Sequence, residues 1–118
     1  MEIIPIFIHH NGKWNKEMEY ADFDVTRITI QLNCSFDEML QIISEQLRIE
    51  IDFQQMVIQY KVRKNYPPLK IEDNATLFFY LQLKKKEHDF TKFPLCIIIH
   101  RMEFPQISFN NNQQLKQV

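Results

Sequence analysis

From Glu2 to His10 the chain is apolar almost throughout and reads as a strand with apolar residues on both faces. Ile4, Ile6 and Ile8 take one face and Ile3 and Phe7 the other, which is the two-residue period of a strand. Pro5 cannot donate to a ladder, so its side of that strand is expected at an edge or an irregularity. Asn11-Gly12 is the pair that a tight type I′ turn favours, so the chain is expected to return antiparallel near Trp14. Lys16 to Asp24 is polar and less regular, with Tyr20 and Phe23 expected to pack inward. From Arg27 to Leu32 the two-residue alternation resumes with Ile28, Ile30 and Leu32.

At Ser35 the period changes to that of a helix. Phe36, Met39, Leu40, Ile43 and Leu47 fall on one face, while Asp37, Gln41, Ser44, Glu45 and Arg48 fall mostly on the other. Ser35 and Glu38 stand three apart, the spacing of a capping box, so a helix is expected over about 35–48. A helix of about 14 residues is marginal alone in water and needs a surface to pack on. Ile49, Ile51 and Phe53 are expected to close its end. Met56 to Arg63 alternates again, which would set Lys61 and Arg63 on one sheet face, and Asn65-Tyr66-Pro67-Pro68 reads as a turn. Leu69 to Ile71 is a short strand candidate. Thr76 to Leu83 is continuously apolar and fits a buried strand or a helix. Asp73 or Asn74 as a cap, and Lys84 to Lys86 at the far end, favour a short helix over about 74–84. Pro94 to Met102 is the most apolar run and is expected to be a central strand buried on both faces.

The order strand, hairpin, strand, helix, strand, short helix, strand matches an α+β, ubiquitin-like β-grasp. Its mixed sheet of four or five strands would hold the first and last long strands side by side and parallel. Residues 1–102 form the expected domain. Residues 103–118, rich in Asn and Gln, read as a poorly ordered tail or linker stub.

Composition narrows the function. The chain has 118 residues, 45% of them hydrophobic with ten Phe, which is enough for one core. A net charge of −1 supplies no global attraction to nucleic acid or to anionic membrane. A single glycine excludes phosphate-cradling loops and dinucleotide fingerprints. The opening MEIIPIFIHH carries no basic leader, and no apolar run is long enough for a membrane span. An intracellular protein, nuclear or cytoplasmic, is therefore expected, with Cys34 and Cys96 as buried thiols. His9 and His10 point to opposite faces of one strand and cannot share an ion; no metal or cofactor and no catalytic set is expected.

The charges that remain form two candidate patches. Lys61, Arg63, Lys64, Lys70, Lys84, Lys85 and Lys86 could make a basic rim, with Tyr60 and Tyr66 as stacking partners for nucleic acid. Glu72 and Asp73, with Asp22 and Asp24 nearby, could make an acidic counterpart, allowing head-to-tail association with copies or relatives.

The segments HHNGKW, LNCSFDEML, IQYKV, YPPLKIEDNATLFFYLQLKKK and FTKFPLCI resemble the N-terminal domain of plant Mutator-like transposases and their domesticated relatives. The resemblance runs from about Ile3 to Met102. In that family the domain is regarded as similar to the Phox-and-Bem domain, a β-grasp that pairs basic against acidic surfaces. It implies a non-catalytic module for self-association or docking to another protein, because the transposase's catalytic acids and zinc knuckle lie further toward the C-terminus. Of the acidic pairing motif, Glu72, Asp73 and Leu77 match the second half. Accessory nucleic-acid binding through the lysines, or a transposon remnant without selected function, are the alternatives. No small-molecule substrate is implied.

Overall fold

The computed structural model describes residues 2–50 and 54–101. In chain order the elements are β1 (Ile3–His10), β2 (Lys13–Trp14), β3 (Tyr20–Ala21), β4 (Asp24–Gln31), α1 (Phe36–Leu47), β5 (Gln54–Tyr60), β6 (Leu69–Ile71), α2 (Asn74–Lys86) and β7 (Leu95–Arg101). Five of the strands form one mixed sheet in the order β4-β1-β7-β5-β6, and β2 and β3 form a separate two-stranded ribbon. β1 and β7 are adjacent and parallel at Ile8–Leu95 and His9–Cys96, and all other pairings are antiparallel. This is the β-grasp arrangement expected from the order of elements. The expected tail at 103–118, and Ile51 and Phe53, lie outside the described residues.

Alternation along the strands builds one core face. Ile4, Ile6 and Ile8 of β1, Ile28 and Ile30 of β4, Leu95 and Ile97 of β7, and Ile58 and Tyr60 of β5 are all buried. Met39 and Ile43 of α1 and Leu77, Tyr80 and Leu81 of α2 complete the same cluster. α1 starts where its caps predict. The Ser35 hydroxyl accepts from the Glu38 N–H at 3.1 Å, and the Ser35 N–H donates to the Glu38 carboxylate at 2.8 Å. The Glu38 carboxyl is held below its ordinary range by these Ser35 hydrogen bonds. Ser35→Ala is expected to lower stability by about 1 kcal/mol, read from the midpoint of urea denaturation. α1 ends at Arg48, in the left-handed region at φ 59°, a position usually given to glycine that this glycine-poor chain fills with arginine.

Several expectations change. Ser44, expected outside, is buried; its hydroxyl donates to the Leu40 carbonyl at 2.7 Å, so a small polar group enters the core satisfied. β5 ends at Tyr60, so Lys61 and Arg63 do not share a sheet face. β7 is central, but it is buried on both faces only over Leu95–Ile97; His100 and Arg101 are exposed.

Asn11-Gly12 does not turn β1 directly into its partner. Asn11 takes φ 64°, Gly12 has no positive φ, and the chain detours through β2 and β3 before β4 returns along β1. Gly12 is required for another reason: a Cβ there would lie 2.5 Å from the Ala21 carbonyl oxygen and 2.9 Å from Phe23 Cβ.

Pro5 fits because of the ladder's phase. The Leu32 N–H bonds the Glu2 carbonyl at 3.0 Å in the β1–β4 register, and hydrogen-bonded pairs alternate along an antiparallel ladder. Even-numbered residues of β1 and β4 therefore bond each other. The missing N–H of Pro5 points away from β4, toward a flank where β7 pairs with β1 only at Ile8 and His9.

Candidate functional site

The face of the sheet opposite the helices carries Val25, His9, Cys96, Gln59 and Lys70 in one row across the five strands. The β2–β3 ribbon lies over the middle of that row. The Tyr20 hydroxyl accepts from the Gly12 N–H at 3.0 Å and donates to the Ile97 carbonyl at 2.6 Å. Trp14 Nε1 donates to Gln59 Oε1 at 3.2 Å. Phe23 stacks on the His9 ring with centroids 4.0 Å apart, and Tyr20 packs on both Trp14 and Phe23. Burial here lowers the His9 imidazole's pKa, assisted by the neighbouring His10 charge, and pushes the Cys96 thiol up to about 12.

Beside the ribbon is a cleft of about 480 Å³ whose wall includes Trp14, Tyr20, Phe23 and Phe93 and whose charged groups are Lys61, Arg63, Lys64, Lys92 and Glu19. Two loops bring the cations there. Lys61 Nζ donates to the Met18 carbonyl at 2.9 Å and the Lys64 carbonyl at 2.6 Å, tying the ribbon to the turn after β5. That turn closes with the Tyr66 N–H on the Arg63 carbonyl at 3.1 Å, and the Arg63 guanidinium lies 5.8 Å from the exposed Tyr66 ring.

The second loop, 87–94, is held from beneath by α2. Lys84 Nζ donates to the Phe90 and Lys92 carbonyls, each at 2.8 Å, and the Tyr80 hydroxyl donates to the Phe93 carbonyl at 2.6 Å. Phe93 sits at φ 60°, an uncommon conformation for a bulky residue, imposed where these bonds fix the loop. Lys84 itself is buried, and desolvation lowers its pKa, opposed by the nearby Asp89 and Glu87 charges.

The expected basic rim is therefore divided. Lys61, Arg63 and Lys64 meet at the cleft, and Lys92, which the sequence reading missed, joins them. Lys84 is a structural clamp. Lys85 lies on α2 within 3.6 Å of the Glu2 carboxylate, and Lys86 is exposed at the same helix end; neither lines the cleft. Lys70 lines a different hollow together with Glu72, so basic and acidic candidates there are neighbours. Tyr60 is 2% exposed and packs on Tyr80 at 4.7 Å, so it is unavailable for stacking.

The acidic patch does not assemble. Asp24 begins β4 and Glu72 follows β6, and these strands are opposite edges of the sheet. Four strand spacings separate the edges, roughly 19 Å. Asp24 accepts from Asn11 Nδ2 at 2.9 Å, and Asp22 occupies the left-handed region at φ 60°. Asp73 caps α2, accepting from the Thr76 N–H at 2.9 Å and its hydroxyl at 2.8 Å, which lowers its pKa. Its neighbour Asn74 accepts from the Phe36 N–H at 2.7 Å, joining the starts of the two helices.

No helix among the described residues is long and apolar enough to cross a membrane. The fold and this cleft define an α+β domain of β-grasp arrangement with a basic, aromatic-walled hollow on its open face. No family model, curated protein or solved structure matches the chain.

Proposed function

We propose that the chain is a non-catalytic protein-interaction module of the Mutator-like transposase lineage, acting inside the cell, and that its basic cleft docks an acidic segment of a protein partner. The lineage rests on the resemblance of the segments between Ile3 and Met102. The docking mode rests on one observation: four cations gather at a single hollow whose charged lining includes one carboxylate, Glu19. Among the described residues none of the four makes an ion pair; Lys61 is held by two backbone carbonyls, and the charges of Arg63, Lys64 and Lys92 are open to a partner. The aromatic wall offers apolar surface beside the charge, a combination suited to a peptide that mixes Asp or Glu with large side chains.

A fluorescent peptide of alternating glutamate and leucine is the probe. The unmodified chain is expected to bind it with an affinity that falls as salt rises. Arg63→Glu with Lys64→Glu is expected to weaken binding at least about tenfold, since like charges then face the peptide. Equal binding by the unmodified and charge-reversed chains would remove the cleft from the proposal.

A second reading, accessory nucleic-acid binding, draws on the exposed Arg63–Tyr66 pair beside the same lysines. Titrating single-stranded and duplex DNA beside the peptide in the same buffers separates the readings: the nucleic-acid reading requires DNA to bind, with the steep salt dependence of phosphate contacts, and the docking reading requires the peptide to bind where DNA does not.

A further inference from the structure

The geometry points to a second surface, independent of the cleft: two copies of this chain pair edge to edge through β4, antiparallel, about a two-fold axis at Ile28. The phase of the β1–β4 ladder, set by the Leu32–Glu2 bond, assigns the even-numbered residues of β4 to β1. The odd-numbered residues Val25, Arg27, Thr29 and Gln31 then turn their N–H and C=O groups away from the sheet. All four are exposed, and β4 is an edge strand.

Edges are ordinarily protected by shortness, proline, bulges or clustered charge. The opposite edge, β6, has three residues, carries the exposed Lys70 and follows Pro67-Pro68, so length, charge and proline all protect it. β4 has eight residues in unbroken register with β1, with no proline and no bulge, and Arg27 is the one charge in its interior. Val25, near one end of β4, and Ile3, beside Gln31 at the other end, are separately exposed on the open face, 56% and 58% accessible.

The strand's own numbering makes a second copy the occupant. A two-fold axis at Ile28 sets Val25 against Gln31 and Arg27 against Thr29, in both directions. Odd residues meet odd residues, so core faces stay on one side of the joined sheet and open faces on the other. Each of the four pairs exchanges two hydrogen bonds, and every outward backbone group from Val25 to Gln31 is used. Moving the axis to Arg27 would oppose two guanidinium groups, so the charge selects the register.

The test is amide hydrogen exchange on the whole chain by NMR at low and high protein concentration, with sedimentation for the mass. The amides of Val25, Arg27, Thr29 and Gln31 are expected to gain protection as the protein is concentrated and the mass doubles, while those of Thr26, Ile28 and Ile30 are protected throughout. Thr29→Pro removes one outward N–H from each copy, two per dimer, and is expected to weaken association about tenfold or more, the loss of two net hydrogen bonds. Should that variant fail to fold, the exchange pattern of the unmodified chain still decides. A monomer at every concentration, or a dimer whose odd-numbered amides stay open, overturns the proposal; so does an edge that is protected only by an added unrelated strand peptide. Arg63→Glu with Lys64→Glu is expected to leave dimerisation unchanged, so failure at the cleft and failure at the edge are read separately.

Discussion

Ile43→Asp is expected to abolish the cooperative thermal and urea transitions, leaving a chain without a defined melting point. Ile43 lies at the centre of the inward face of α1, fully buried, in the cluster that joins Met39 to the isoleucines of β1 and β4. A carboxylate there has no cation among the cluster's residues, so it would be buried unpaired or drag the helix off the sheet. The truncation Ile43→Ala measures the same site more gently. It removes three carbons from a packed position and is expected to cost about 2–5 kcal/mol, depending on how far the neighbours close the cavity. Leu40 is only partly buried, so the same substitution there should be milder. Circular dichroism against urea reads all three. A cooperative transition retained in Ile43→Asp would mean that α1 is not what holds the sheet face dry.

The second large effect is alkaline. Stability is expected to fall as pH rises above 9, and Cys96→Ala is expected to remove the first part of that fall. Burial beneath the ribbon raises the Cys96 thiol from its ordinary 9.0 to about 12. Below pH 9 the thiol is protonated in both states. Between 9 and 12 the unfolded chain loses this proton and the folded chain keeps it, so the unfolded state binds fewer protons and gains as pH rises. The slope is roughly 1 kcal/mol per pH unit, somewhat under the full value because the open face is partly wet. Tyr80, Tyr60 and Tyr20, all raised first by desolvation, act in the same direction above pH 10. Lys84 acts oppositely: its lowered pKa lets the folded state shed a proton sooner, which favours folding in its own window. Cys34, raised by its own partial burial, acts with Cys96, so one lysine faces two thiols and three phenols and the net direction is down. Urea midpoints at several pH values, for the unmodified chain and Cys96→Ala, check it; parallel curves would show that the thiol is not shielded.

Much of the architecture could be read before any coordinates. The Ser35–Glu38 box marked the start of α1, and α2 runs from Asn74 two residues beyond its expected end at Lys84. The alternations of β1, β4 and β5 grouped Ile4, Ile6 and Ile8, Ile28 and Ile30, and Ile58 on single faces, which the structure makes the core side, and the element order called for β1 beside β7. The candidate site was legible only in fragments. Lys61, Arg63 and Lys64 were visible as charges, but Lys92, Trp14 and Phe93 belong to segments whose meeting no spacing announces. Lys84 looked no different from Lys85 and Lys86, because what separates them is the 87–94 loop folding back over one of the three. The acidic candidates failed for the same cause: Asp24 and Glu72 are assigned to opposite edges by strand order.

Features that rest on a few consecutive residues were therefore written in the chain: caps and periods, whose hydrogen bonds and steric limits act over one or two helical turns or strand pairs. Which cations face water, which one is buried, and which backbone edge is left open depend on segments tens of residues apart arriving at one place. Those outcomes are set by how the whole sheet closes, since burial and electrostatic environment are properties of the assembled neighbours and not of the residue that carries the charge.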